Sequence, residues 1–147
     1  MNTDEYKPGE QPIFPKVEDV GSRPWGKEEI LVVVPGKYML KKLTINKGSK
    51  GGLQYHRLKD ECGVLISGKL LLRFDNGLGD LMEKIIQPGE SFHFPPGVVH
   101  QEEALEDCVI IEGSTPHFND RVRMEKYFGM SVTKGLPSTS IEEIVKK

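Results

Sequence analysis

Short apolar runs alternate along the chain with clusters of Gly, Pro, Asn and Asp. Residues 28–34, Glu-Glu-Ile-Leu-Val-Val-Val, form a β-branched run of the kind that packs on a pleated surface. Pro35 and Gly36 signal a turn. Tyr38 to Ile45 then alternates with a period of two, which sends successive side chains to opposite faces of a strand. Asn46 to Gly52 reads as a loop. Further strands are predicted at 69–74, 81–86, 91–94, 98–103 and 108–112. Asp75 to Asp80 is a hairpin loop of residues that tolerate a left-handed backbone, and Gln87-Pro88-Gly89 turns the chain again. Many short strands joined by such turns predict an all-β sandwich or barrel.

The ends of the chain read differently. Residues 1–22 carry Pro8, Pro12, Pro15, Gly9 and Gly21 with few clustered apolar groups. They are expected to form an extended N-terminal arm, ordered by packing on the barrel or on a neighbouring molecule. Residues 23–130 make a single domain. Residues 131–147 form a tail in which 138–147 is a short helix candidate. Thr139 and Glu142 are spaced for a capping box, and Lys146 and Lys147 suit a helix C-terminus.

Composition narrows the function classes. A chain of 147 residues suits one core. A net charge of -2 and an isoelectric point near 6.1 give no electrostatic case for nucleic acid or an anionic membrane. No stretch approaches the roughly 18 apolar residues of a membrane span. The first residues, Met1 to Tyr6, are polar and acidic, unlike a signal peptide, so a cytoplasmic location is expected. Cys62 and Cys108 form no CxxC motif and read as reduced core residues.

Four metal-capable side chains stand out: Gln54, His56, Glu61 and His100. Gln54 and His56 are two apart, so on a strand they share a face. Glu61 follows a short polar turn and opens the apolar run Val64-Leu65-Ile66. His100 comes just after Pro95-Pro96-Gly97, where Pro presets φ and Gly permits φ > 0, so the turn aims it in a fixed direction. Imidazole, carboxylate and amide donors suit a divalent ion, with Zn foremost and Mn, Fe, Ni or Co as alternatives. A neutral amide is a weak ligand, so Gln54 is also readable as a group behind the ligands. His93 alternates with Phe92 and Phe94 and is expected to point away from the cluster. His117 lies in a loop and is assigned no role. Trp25 is expected to close one end of the barrel or an interface.

Their spacing resembles the cupin signature, in which a His-x-His-x3-4-Glu-x6-Gly block precedes a Gly-x5-Pro-x-Gly-x2-His block. Here Gln54, His56, Glu61 and Gly68 match the first, and Gly89, Pro95, Gly97 and His100 the second. Gln54 replaces the first His, and Ala104 stands at the final Asn position. Arg23 to Gly26, Leu53 to His56, Ser67-Gly68, Pro88 to Ser91, Arg121 to Glu125 and Tyr127 to Gly129 resemble the mannose-6-phosphate isomerase branch. That branch includes the module that ends bifunctional mannose-1-phosphate guanylyltransferase/mannose-6-phosphate isomerases. Arg57 and Leu58 stand where it usually has further His. No glycine-rich pyrophosphorylase signature is present, so the transferase half is not expected in this sequence.

The resemblance implies a double-stranded β-helix, or jelly-roll barrel, and a divalent metal. It implies isomerisation or epimerisation of a sugar or sugar phosphate, with mannose-6-phosphate/fructose-6-phosphate the leading pair, and a homodimer. Lys59 and Arg123 match basic positions of the family and are candidates to bind a phosphate or sugar acid; both are also readable as solvated surface charges. Glu103, three residues after His100, is a candidate base or a solvent-facing group. An Fe(II) cupin oxygenase and a non-catalytic sugar-binding or regulatory cupin are the alternative functions.

Overall fold

A computed structural model describes residue 9 and residues 11–131. Among these residues the chain forms eleven strands: β1 (Glu18–Arg23), β2 (Gly26–Val34), β3 (Tyr38–Ile45), β4 (Gln54–His56), β5 (Glu61–Ser67), β6 (Leu70–Asp75), β7 (Leu81–Ile86), β8 (Ser91–Phe94), β9 (His100–Ala104), β10 (Cys108–Ser114) and β11 (Arg121–Arg123). One sheet runs β1-β2-β3-β10-β5-β8 and the other β11-β4-β9-β6-β7. Every pairing is antiparallel. The predicted all-β jelly-roll architecture is the one observed. No helix among the described residues is long and apolar enough to cross a membrane.

Two strands are additional to the sequence reading. Glu18–Arg23, placed at the end of the arm, pairs with β2 through a register shift between Asp19 and Gly21. Its polar sequence has no two-residue pattern, because backbone pairing at the sheet edge is what holds it. β11 has three residues, too few for any alternation to show. The helix candidate at 138–147 lies outside the described residues.

The inward positions of the strands change character along their length. On β10 they run Ser114, Glu112, Ile110, Cys108; on β3, Met39, Lys41, Leu43, Ile45; on β5, Glu61, Gly63, Leu65. Registers align these columns, with Glu112 beside Lys41 and Gly63, and Ile110 beside Leu43 and Leu65. The barrel therefore has an apolar end and a polar end. Ile45, Leu65, Leu70, Leu72, Ile86 and Ile110 lie among the buried residues that fill the apolar end. Each such side chain contributes about 1.5–3 kcal/mol by leaving water. Gly63 serves this packing directly: a Cβ there would lie 2.5 Å from the ring of Phe92 on the neighbouring strand.

Trp25 belongs to the same buried cluster. Cys108 is buried, as expected, but Cys62 is exposed. The inward positions of β5 go to Glu61 and Gly63, so strand parity turns Cys62 outward.

Candidate metal centre

His56, Glu61 and His100 meet at the polar end of the barrel. One donor atom from each lies within 4.8 Å of the others, and all three residues are buried. His100 Nε2 is 3.0 Å and His56 Nε2 3.4 Å from Glu61 Oε1. The strands account for this. Glu61 opens β5, His56 closes β4, and His100 opens β9 after a turn in which Gly97 takes φ 87°. The amide of Gly97 donates to the His56 carbonyl at 2.8 Å, tying that turn to β4.

The far side of each imidazole is also fixed. His100 Nδ1 donates to the Val98 carbonyl at 3.0 Å, and its ring stacks on Phe94 at 3.9 Å with a 10° tilt. His56 Nδ1 lies 3.1 Å from Asp120 Oδ1. Asp120 also accepts the backbone amides of Leu58 and Lys59, both at 2.8 Å. With Nδ1 engaged in this way, each Nε2 is left to face the centre, the arrangement that metal-binding histidines adopt. Glu61 Oε2 is held by Lys59 Nζ at 3.3 Å, and Lys59 lies 3.9 Å from Glu112.

The charged groups of the site act on one another. Burial opposes the ionised form of Glu61, but hydrogen bonds from His100 and His56 and the charge of Lys59 hold it well below the usual carboxylate range. Burial lowers His100, and the Glu61 contact outweighs that and raises it. Lys59 follows the same logic: burial works against its charge, and Glu61 with Glu112 raises it overall. Burial and then the charge of Glu61 push Glu112 well above the carboxylate range, and push Glu102 up to about 7. A divalent cation would relieve this crowding of carboxylates by supplying positive charge.

The residues fit such an ion. Two imidazole nitrogens and a carboxylate suit Zn, Mn, Fe(II), Co or Ni. Gln54 stands across from His100 in the β4–β9 pair. Its Oε1 is buried with no hydrogen-bond partner among the described residues. An orphaned buried acceptor beside three donor groups is what a fourth ligand looks like before coordination.

Residues 41–112 match the protein family described as Cupin domain. The chain carries a cupin domain. Over 108 residues it is 30% identical to a Vibrio cholerae protein provisionally named mannose-1-phosphate guanylyltransferase, a match that covers 70% of this chain and 22% of that one. Among solved structures, capsular polysaccharide assembling protein CapF from Staphylococcus aureus aligns with a TM-score of 0.65 at 17% identity, over 84% of this chain and 34% of CapF. An RmlC-like cupin from Shewanella frigidimarina gives 0.57 at 24% identity, over 79% and 94% of the two chains. At these identities the structural likeness is one of fold.

Within the cupin domain, the cleft above the donor set is lined by Lys59, Glu102, Glu112, Trp25 and His117 besides the donors themselves. The other two expected catalytic residues lie elsewhere. Glu103 bonds Arg73 at 2.9 Å, and Arg73 also pairs with Glu83. Strand parity explains this: His100 and Glu102 face inward on β9, so Glu103 faces outward. Arg123 is engaged by the buried Glu125 through its Nε at 3.0 Å and through its terminal nitrogen, and it does not line the cleft. His93 is exposed and 2.7 Å from Asp60, away from the donor set. His117, assigned no role from the sequence, lines the cleft and pairs with Thr115 Oγ1 at 2.8 Å. Asp120 and Glu102 are the groups that sequence reasoning missed. Glu102 was within reach of a parity argument from His100. Asp120, in a loop far along the chain, carried no such signal.

Proposed function

We propose that the chain is a metal-dependent isomerase or epimerase of a sugar or sugar derivative. One juxtaposition carries the reading: Glu102 opens onto the same small cleft as the His56–Glu61–His100 donor set. A divalent ion, zinc foremost, would be held by these three residues with Gln54 as a fourth donor, and would polarise a carbonyl and stabilise charge developing on its oxygen. Glu102 would take a proton from the hydroxyl-bearing carbon beside that carbonyl and return it to the carbonyl carbon, while the proton of that hydroxyl passes to the former carbonyl oxygen. The shift interconverts aldose and ketose through an enediol, with no atoms gained or lost. Lys59, kept positive by Glu61 and Glu112, is placed as a charged donor to a substrate oxygen. Arg123, a candidate from the sequence, pairs with Glu125 and in this reading would brace β11.

The likeness to a relative named for mannose-1-phosphate guanylyl transfer, together with the sequence resemblance to the isomerase branch, supports a hexose as the substrate. The test is to offer zinc-loaded protein the mannose/fructose pair, with and without a 6-phosphate, and follow interconversion. Turnover of either pair supports the reading. Stoichiometric metal with no turnover of either would overturn it and leave a binding role. A second reading is favoured by the two-His, one-carboxylate composition of the donor set, which also suits Fe(II) oxygen chemistry. Oxygen uptake by the Fe(II)-loaded protein tests that one. The reading includes a homodimer working in the cytoplasm.

A further inference from the structure

Resting on the reading that the cleft is a sugar site, we infer that it takes a small, uncharged, hydroxyl-rich ligand and that Trp25 selects it by donating its indole N–H. Trp25 is 6% exposed and lines the cleft, and its Nε1 is buried with no hydrogen-bond partner among the described residues. Buried donors are nearly always paired, and one left unpaired costs about 1–3 kcal/mol. A ligand oxygen in the cleft would remove that cost. Opposite needs stand in the same space: Glu102 and Glu112 offer acceptor oxygens. A hydroxyl group both donates and accepts, so it answers both kinds of wall.

The charges argue against a phosphate in this space. Glu28, Glu61, Glu102, Glu112 and Asp120 line the cleft against Lys41 and Lys59. Whether or not Glu102 and Glu112 carry protons, the two ammonium groups do not outnumber the carboxylates, so the side chains themselves bring no surplus positive charge. Lys41 is committed to Glu28 at 2.8 Å, and the charge of Lys59 is balanced by Glu61 at 3.3 Å and Glu112 at 3.9 Å. Among the described residues no arginine lines the cleft; Arg121 and Arg123 stand on β11 across from His56 and Gln54, and Arg123 is engaged by Glu125. A dianionic phosphate would enter a region with no surplus positive charge to receive it. The cleft, at about 100 Å³, is also small.

Trp25 is the single tryptophan of the chain, so its emission reads the site directly. The zinc-loaded full chain is titrated with fructose, mannose and their 6-phosphates, by fluorescence and by calorimetry. The expected result is a saturable emission change with the free sugars and at least about tenfold weaker binding of the 6-phosphates. Trp25→Phe keeps a ring but lacks the N–H, and is expected to weaken free-sugar binding about tenfold at unchanged zinc content. Equal or tighter binding of the 6-phosphates, no binding of either free sugar, or unaltered affinity in Trp25→Phe would overturn the inference. If that variant fails to fold, the wild-type preference between free and phosphorylated sugar decides. Binding without turnover removes the isomerase reading and leaves this one standing; turnover of the 6-phosphates alone does the reverse.

Discussion

Asp120 reaches the centre from 64 positions beyond His56, and it is the residue on which the geometry of that imidazole depends. Two backbone amides at 2.8 Å fix the carboxylate. Burial opposes its charge, but the Leu58 and Lys59 amides with His56 hold its carboxyl below the usual range. Asp120→Asn is expected to weaken zinc binding about 10–100-fold, measured by chelator competition, with the fold kept. His56→Ala or His100→Ala is expected to abolish stoichiometric metal altogether. The neighbouring pair on β9 gives a sharper contrast. Glu102→Gln is expected to cut turnover at least about 100-fold, and Glu103→Gln to leave it within about twofold, because only Glu102 opens onto the cleft. The meeting of His56, Glu61 and His100 was legible in the sequence because all three belong to short, regularly spaced blocks. Glu103 is near His100 along the chain, but strand parity turns it to Arg73 on the other face.

At the scale of elements, strands such as β3 and β6 were readable because one face is buried more deeply than the other. β1 and β11 were not, since edge pairing leaves no hydrophobic period. What secures β11 and the turn after it is ionic. Arg123 bonds Glu125, and the Met124 amide donates to Leu53 at 2.8 Å. Burial disfavours the charge of Glu125, but the Arg123 hydrogen bonds hold it down to about 2. Its folded value thus lies below the ordinary carboxylate value near 4.5. The stabilisation it gives is present above that ordinary value and is lost as pH falls through about 2. Acid unfolding of metal-free protein, followed by circular dichroism, is expected to have a component in that window. Glu125→Ala is expected to remove this component and to destabilise by about 3 kcal/mol at neutral pH, because the guanidinium loses its buried partner. On β5, Gly63→Ala is expected to cost about 1–3 kcal/mol in denaturant melts, since Phe92 would have to move.

For the molecule as a whole, the arm is the feature that looks beyond one copy. Ile13 and Phe14 are 87% and 86% exposed, and Val17 is 54% exposed. Large apolar groups left in water beside an edge strand favour association with a second copy. Deleting residues 1–17 is expected to halve the solution mass in light scattering; an unchanged mass would rule out the arm as the basis of a dimer. The division of the barrel into a polar and an apolar end has a consequence of a different kind. Each long strand carries both an anchor and a tool, a few residues apart on one face. Randomising Glu102 and His117 together would leave the residues that drive folding, and the buried Lys41–Glu28 pair, untouched. The polar end is therefore a place where new chemistries can be sampled without putting the scaffold at risk.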